Sequence, residues 1–214
     1  AVVASLDRGI TRHFSTVTSH QSNDQLTSNI ISSISRALDK YREVNEGSLP
    51  SKIIIYRDGV PDNQITNVSD HEVCKVHGAI RRIYGQNAQV HLAYILVSTR
   101  TNTRLFHGQN NPPLGTVVQD TLTDPLRKDF YLVSQSSDDE SASATYYNIV
   151  FDSLRLNLER IQILTFKLTH MYFNSSTNVR TPAQVQYARK LAYLVSQSIH
   201  TPPSAGMEDL LYYL

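Results

Sequence analysis

The sequence predicts an α/β fold in which helices flank a mixed β-sheet, and three observations support this prediction. Apolar side chains recur at helical spacing from Leu26 to Tyr41. A continuous apolar run at 53–56 is typical of a strand that is buried on both faces of a parallel or mixed sheet. A second helical pattern at 69–84 and another strand at 90–97 follow, and such alternation defines the α/β class.

The first residues predict a β-hairpin. Segments 1–6 and 11–18 are rich in Val, Thr and Phe, which favour strands. Asp7-Arg8-Gly9 between them is a turn signal. Segment 1–6 is apolar and lacks an initiator Met, so we expect it to be one strand of a larger sheet and the chain to begin inside a domain.

The later elements are predicted from the same periodicities and turn residues. A polar loop at 19–24 precedes the first helix (26–45), 47–50 ends that helix, and 52–56 forms the buried strand. After residue 98 we predict a long loop at 99–114, with a short strand at 104–106 as an alternative, and a mobile surface loop at 134–144. Strands are predicted at about 115–119, 129–134 and 146–151. Two helices follow at about 157–173 and 182–199, and Pro182 stands at the start of the second. One domain is the economical interpretation.

Composition excludes several classes of protein. The 214 residues are 40% hydrophobic and 18% charged, which suits one globular domain with a substantial core. The net charge of +1 means that any nucleic-acid surface must be a local patch. The single cysteine, Cys74, rules out an internal disulfide and fits a reducing compartment. No apolar run reaches the roughly 18 residues that a membrane span needs.

The sharpest local feature is Tyr56-Arg57-Asp58-Gly59-Val60, which follows the buried strand. The carboxyl ends of strands open toward the crevice where α/β sheets bind ligands, so an acid there points to a functional site. The alternative is that Asp58 only forms a turn with Gly59.

Several segments resemble the PIWI domain of the Argonaute family, and in particular its Piwi branch. The segment 53–60 resembles the "II.YRDGV" strand of these domains. Further matches follow in the family's order and span nearly the whole chain: Gly115–Val118, Asp129–Gln135, Thr145–Val150, Gln186–Ala192 and the ending Leu211–Leu214.

The resemblance implies an RNase H-like domain over 1–214 that lacks its first strand, with MID and PAZ domains upstream. In members that cut RNA, four side chains hold two divalent ions at the scissile phosphate, and hard oxygen ligands suit Mg²⁺. Asp58 matches the third of these positions. The first, an Asp, is expected upstream of Ala1; Asp7 lies in the hairpin turn and does not replace it.

The other two catalytic positions depart from the family pattern. Gln25 stands where slicing members carry a Glu, and its neutral amide lacks the charge that offsets a dication. Asp24 could compensate through a shift of one residue. Arg189 stands where the family has His or Asp, and a fixed cation repels Mg²⁺. We therefore expect slicing to be lost, with Asp58 and Arg189 side by side in one cleft.

The resemblance also implies contacts with a guide RNA. The C-terminal carboxylate of relatives helps to bind the guide's 5′-phosphate, in some members through a metal ion, and this role falls to Leu214, with Mg²⁺ as the expected ion. The alternative, an apolar tail packed on the core, is compatible with it. Arg180 and Gln186 match positions that contact the guide backbone.

Two weaker patterns remain open. His71, Cys74 and His77 fall on one helix face but lack a fourth zinc ligand, so a half-exposed helix face is the preferred interpretation. The basic segments Arg81-Arg82 and 100–104 face either RNA or solvent.

The sequence thus predicts a module that binds a piRNA-type guide and a target RNA and recruits silencing-effector proteins, in the cytoplasm or nucleus and without a membrane. An active Mg²⁺-dependent RNA endonuclease is the main alternative. An RNase H-like domain with no small-RNA role is the third.

Overall fold

The computed structural model describes residues 1–85, 89–123, 126–135 and 143–214. The chain divides into two compact units that interleave along the sequence. Unit 1 contains 1–53, 66–91 and 187–214, and unit 2 contains 54–65 and 92–186.

Unit 1 begins with the predicted hairpin. Strands β1 (Val2–Ser5) and β2 (His13–Thr16) pair antiparallel. The Asp7 carboxylate organises the turn, because it accepts hydrogen bonds from the Thr11 amide at 2.8 Å, the Thr11 hydroxyl at 2.7 Å and the Arg12 amide at 3.0 Å. Asp7 is therefore fully occupied as a turn-former.

Helix α1 (Asn23–Val44) confirms the predicted first helix and covers the hairpin. Leu6, Phe14 and Ala37 are buried together. The helix ends at Asn45, whose side-chain amide donates to the backbone oxygens of Tyr41 at 2.7 Å and Leu6 at 2.8 Å. This amide ties the end of α1 to the end of β1.

The second predicted helix begins earlier than its apolar pattern indicates. A short α-helical turn, Ile65–Asn67, leads through the π-helical turn Val68–Glu72 into α2 (Val73–Tyr84). The π-turn inserts a residue into the helical repeat, so the pattern is interrupted there. Helix α2 packs on α1 and ends at Gly85, whose φ of 82° few other residues adopt.

The main sheet is mixed and has five strands in the order β3-β4-β7-β6-β5. The strands are β3 (Lys52–Asp58), β4 (His91–Ser98), β5 (Val117–Val118), β6 (Asp129–Leu132) and β7 (Thr145–Asp152). Except for the first residues of β3 and β4, they belong to unit 2.

The prediction that 53–56 is buried on both faces was wrong. All four side chains are half-buried, and β3 is an edge strand among the strands that the structure describes. An edge strand has a neighbour on one side only, which limits its burial. The doubly buried strand is β4, in which the residues from Leu92 to Ile95 are 0% exposed.

The core of unit 2 forms between this sheet and helix α3 (Leu158–Leu168). Phe130 and Tyr147 stack with ring centres 5.0 Å apart and pack with Ile161 of α3. The hydroxyls of Tyr56 and Thr165 lie 2.9 Å apart and so link β3 to α3. Burial raises the pKa of Tyr56 to about 12, so this phenol stays neutral.

The remaining predicted elements are confirmed with changed limits. The alternative strand at 104–106 is reduced to one isolated bridge, between Arg104 and Ser143. Helix α4 (Ala183–Leu194) follows Pro182 as predicted and continues into the π-helical turn Val195–Ile199. Of the predicted loop at 134–144, residues 136–142 lie outside the described residues.

The buried His13 makes the stability of unit 1 sensitive to acid. Its side chain is 4% exposed, and its ring lies edge-on to Tyr187 at 5.2 Å. Burial lowers the pKa of His13 below its ordinary value of 6.5, although the nearby Asp7 charge acts in the opposite direction. The folded chain therefore binds this proton less tightly than the unfolded chain does.

We predict that the free energy of unfolding falls as the pH drops through about 6.5, because the unfolded state binds more protons there. Each pKa unit of depression corresponds to about 1.4 kcal/mol. His13→Gln should flatten this dependence between about pH 7.5 and 5, measured by urea unfolding. The control His20→Gln alters an exposed histidine and should keep the wild-type slope. An equal slope in all three proteins would contradict the prediction.

Candidate functional site

Asp58 is the last residue of β3 and is half-buried. Gly59 follows with φ of 75°, a backbone conformation that glycine adopts readily. The Arg57 guanidinium donates a hydrogen bond to the Asp58 backbone oxygen. The turn-forming interpretation of the Asp-Gly pair stays an alternative. The proposed metal-ligand role of Asp58 is compatible with this position and stays a prediction.

Gln25 lies in the first turn of α1, where it closes a reciprocal helix cap. The Ser22 hydroxyl accepts from the Gln25 amide at 3.3 Å, and the Gln25 side-chain oxygen accepts from the Gln21 amide at 2.8 Å. Ser-x-x-Gln matches the capping-box sequence pattern, but the return bond goes to the amide of Gln21, one residue before the N-cap Ser22. The side-chain oxygen of Gln25, which stands where slicing members carry a carboxylate, therefore accepts a backbone hydrogen bond.

Asp24, the proposed substitute ligand, is explained by other contacts. Its side chain is 92% exposed and pairs with Lys75 at 3.2 Å. A carboxylate in the first turn also interacts favourably with the positive end of the helix dipole. The proposed ligand role of Asp24 stays a prediction.

Arg189 lies within α4 and is half-buried, whereas Tyr187 and Leu191, two positions away on either side, are fully buried. Gln25 and Arg189 belong to unit 1, whereas Asp58 belongs to unit 2. The predicted neighbourhood of Asp58 and Arg189 therefore stays a prediction.

The zinc interpretation of the second helix gains no support. His71 lies in the π-helical turn and Cys74 and His77 lie in α2, so the regular three-residue spacing does not run through one uniform helix. Partial burial and the Arg81 charge lower the pKa of His77. In the part of the chain that the structure describes, no group of three or more His, Cys, Asp or Glu side chains could hold a metal ion.

Arg180 is held firmly in unit 2. Its guanidinium donates to the Thr99 backbone oxygen at 3.2 Å. Its own backbone oxygen accepts from the hydroxyls of Ser134 and Thr145, each at 2.9 Å. No sequence signal marks these two anchors, because short hydroxyl side chains are common near strand ends. Gln186 is half-buried near the start of α4, six residues further along.

The tail combines an anchored ring with an exposed last residue. Tyr213 is 6% exposed and lies edge-on to Tyr187, with ring centres 6.4 Å apart, and to Tyr212, at 5.2 Å. Burial raises the pKa of Tyr213 above its ordinary value. Leu214 is 38% exposed. The packed-tail interpretation is confirmed at Tyr213, and the phosphate-binding role of Leu214 stays a prediction.

Charged residues of α1, which sequence reasoning did not single out, also hold the tail. Arg36 pairs with Glu208, and Lys40 pairs with Asp209 at 2.9 Å. A cleft of about 150 Å³ lies beside these pairs and is lined by residues that include Ser15, Arg36 and Tyr212. Ligand pockets commonly measure about 300–1,000 Å³, so this cleft is too small for a nucleotide.

Among the described residues, no helix combines the length and apolarity required to cross a bilayer.

Comparison with known proteins identifies the family. A sequence model of the Piwi domain matches residues 1–200. Over its full length the chain is 44% identical to the Piwi-like protein Siwi of Bombyx mori, of which it covers 24%. The chain thus spans about a quarter of the length of such curated relatives.

Solved structures agree with this assignment. The crystal structure of Drosophila Piwi matches with a TM-score of 0.89 and 39% identity, over 99% of this chain and 29% of that chain. An Argonaute of Kluyveromyces polysporus, solved with a guide RNA, matches with a TM-score of 0.81 over 99% of this chain and 30% of that one; at 20% identity it shows the fold alone. The RNase H-like fold class is confirmed. The chain belongs to the Piwi-domain family, in the Piwi branch of the Argonaute proteins.

Proposed function

We propose that this chain is part of a small-RNA-guided silencing protein that holds a piRNA-type guide and its target RNA without cutting the target. The protein then acts by recruiting silencing-effector proteins, in the cytoplasm or the nucleus. Membership of the Piwi branch supports the guide-RNA role. The observation that carries the loss of cutting is Gln25, whose side-chain oxygen accepts from the Gln21 amide in place of a free carboxylate.

The residues at the slicing positions do not fit a pair of Mg²⁺ ions. Two dications require several anionic oxygen ligands, since Mg²⁺ prefers carboxylate and water oxygens. Of the three positions present in this chain, Asp58 alone supplies a carboxylate. Gln25 is neutral, and Arg189 adds a positive charge that repels metal.

Guide binding depends on phosphate contacts that need no catalytic metal. A phosphate is recognised by guanidinium groups and by positioned amides. The anchored Arg180 and the neighbouring Gln186 are our candidates for the guide backbone. Leu214 is our candidate for the 5′-phosphate, where its carboxylate can share a Mg²⁺ ion that keeps most of its water ligands.

A second candidate function is an active guide-directed endonuclease. Asp58 favours it, because a half-buried carboxylate at a strand end is retained at the third catalytic position. This function requires ligands other than Gln25 and Arg189, and Asp24 is already paired with Lys75.

We predict that cleavage requires both Gln25→Glu and Arg189→His in the full-length protein with its upstream strand. Gln25→Glu supplies the missing negative ligand, and Arg189→His removes a cation that repels the metal ions. The double variant should raise the single-turnover cleavage rate by roughly a hundredfold over either single variant. Glu at the third helical position also serves a capping box, so α1 should remain stable.

The matched control adds Asp58→Ala to the double variant, and it should return cleavage to background. Efficient cleavage by the unmodified protein that Asp58→Ala abolishes would establish the second candidate function instead.

We also predict that appending three glycines after Leu214 weakens binding of a 5′-phosphorylated guide by roughly tenfold. The extension moves the carboxylate away from the phosphate and crowds its site, while Tyr213 can stay buried. The melting temperature should therefore barely change. The measurement compares 5′-phosphorylated and 5′-hydroxyl guides on the native and extended full-length proteins. An unchanged phosphate preference would remove Leu214 from the site.

A further inference from the structure

Two basic residues of α1 face the same stretch of the tail. Arg36 and Lys40 are one helical turn apart, so their side chains leave the same face of α1. Arg36 contacts Glu208, and Lys40 contacts Asp209 at 2.9 Å. Two consecutive acids of the tail are thus matched by two bases at helical spacing.

Contacts other than those with the tail acids fix the position of the Arg36 guanidinium. Arg36 donates to the Thr16 hydroxyl at 3.1 Å and lies over the Phe14 ring at 5.7 Å. Both partners are buried residues of β2. The guanidinium is therefore already oriented when Glu208 meets it.

The tail is also joined to β2 through its backbone. The backbone oxygen of Glu208 accepts from the Ser15 amide at 2.7 Å and from the Ser15 hydroxyl at 3.2 Å. Tyr213 is buried four residues beyond Asp209. The segment 208–213, which precedes Leu214, is therefore anchored at both ends, by Glu208 and by Tyr213.

The contacts with α1 also affect the charge of the tail. The segment 201–214 contains two acids, Glu208 and Asp209, and no Lys or Arg. Unpaired, these acids would repel an anion bound near the end of the tail. Pairing with α1 places a cation beside each acid, and Lys40 is shared between Asp209 at 2.9 Å and Glu43 at 3.3 Å. The hydrogen bond from Lys40 to Asp209 raises the pKa of Lys40, so the lysine stays charged.

We propose that Arg36 and Lys40 are positioning residues of the guide 5′-phosphate site, because they fix the acidic tail and neutralise it beside an incoming phosphate. The proposal rests on the tail function proposed above for Leu214. Exposed ion pairs contribute little to global stability, so the effect falls on the placement of the tail and not on folding.

The experiment is a charge swap in the full-length protein with its MID domain. Lys40→Glu and Asp209→Lys are made singly and together, with Arg36→Gln as a further single variant. The matched control is Arg42→Glu, which carries the same charge change as Lys40→Glu but disrupts a pair with Asp39 inside α1, at 2.9 Å. The readout is the ratio of affinities for 5′-phosphorylated and 5′-hydroxyl guides.

We expect Lys40→Glu and Arg36→Gln each to lower that ratio by about fivefold, a factor equivalent to about 1 kcal/mol. The double swap should restore it, and Arg42→Glu should leave it unchanged. Faster hydrogen exchange of the Ser15 amide in the single variants would report release of the tail directly, since that amide donates to Glu208.

The outcomes separate the two proposals. If the glycine extension lowers the ratio but the charge variants do not, the tail function stands and the positioning role is wrong. If the double swap fails to restore the ratio, the pairing is not the cause and the positioning role is again wrong. If neither the extension nor the charge variants change the ratio, both proposals fail.

Discussion

The burial of the Tyr187 ring is the constraint on which unit 1 depends. The ring is 0% exposed and meets His13 of β2 and Tyr213 of the tail in edge-on contacts. Edge-on aromatic contacts fix relative orientation as well as distance. Two of these three rings lie close in sequence to a candidate functional residue: Arg189 follows Tyr187 by two positions, and Leu214 directly follows Tyr213. The placement of these candidates is therefore a consequence of core packing.

The first turn of α1 shows how a functional position can change without loss of structure. A helix start needs acceptors for its free amides, and Ser22 and Gln25 supply them in this chain. Either Gln or Glu at this position completes the cap. The capping hydrogen bonds thus do not require a negative charge at this position, although the helix dipole would favour one. The same reasoning applies to Arg189, which the half-buried surface of α4 accommodates.

The elements predicted from the sequence are those with strong local signals. The amphipathic pattern of α1, the Asp7 turn and Pro182 at the start of α4 are each determined by nearby residues. The half-burial of β3 depends on which strands flank it, and local pattern cannot report that. The π-turn before α2 was missed because one inserted residue breaks the periodicity used to find helices.

At the candidate site, the resemblance to the PIWI domain supplied Asp58, Gln25 and Leu214. The tail anchors Arg36 and Lys40 were missed, because pairs 169 or more residues apart leave no sequence signal.

Cutting and holding RNA place different demands on one fold. Cutting requires concentrated negative charge to retain dications, and that charge is costly to assemble. Holding a guide requires positive and neutral donors in fixed places, which ordinary packing and backbone hydrogen bonds provide, as they do at Arg180. In the tail, even the two acids present are paired with bases. In our proposal, the guide contacts of Arg180 and of the tail therefore do not depend on the residues at the slicing positions, Gln25 and Arg189.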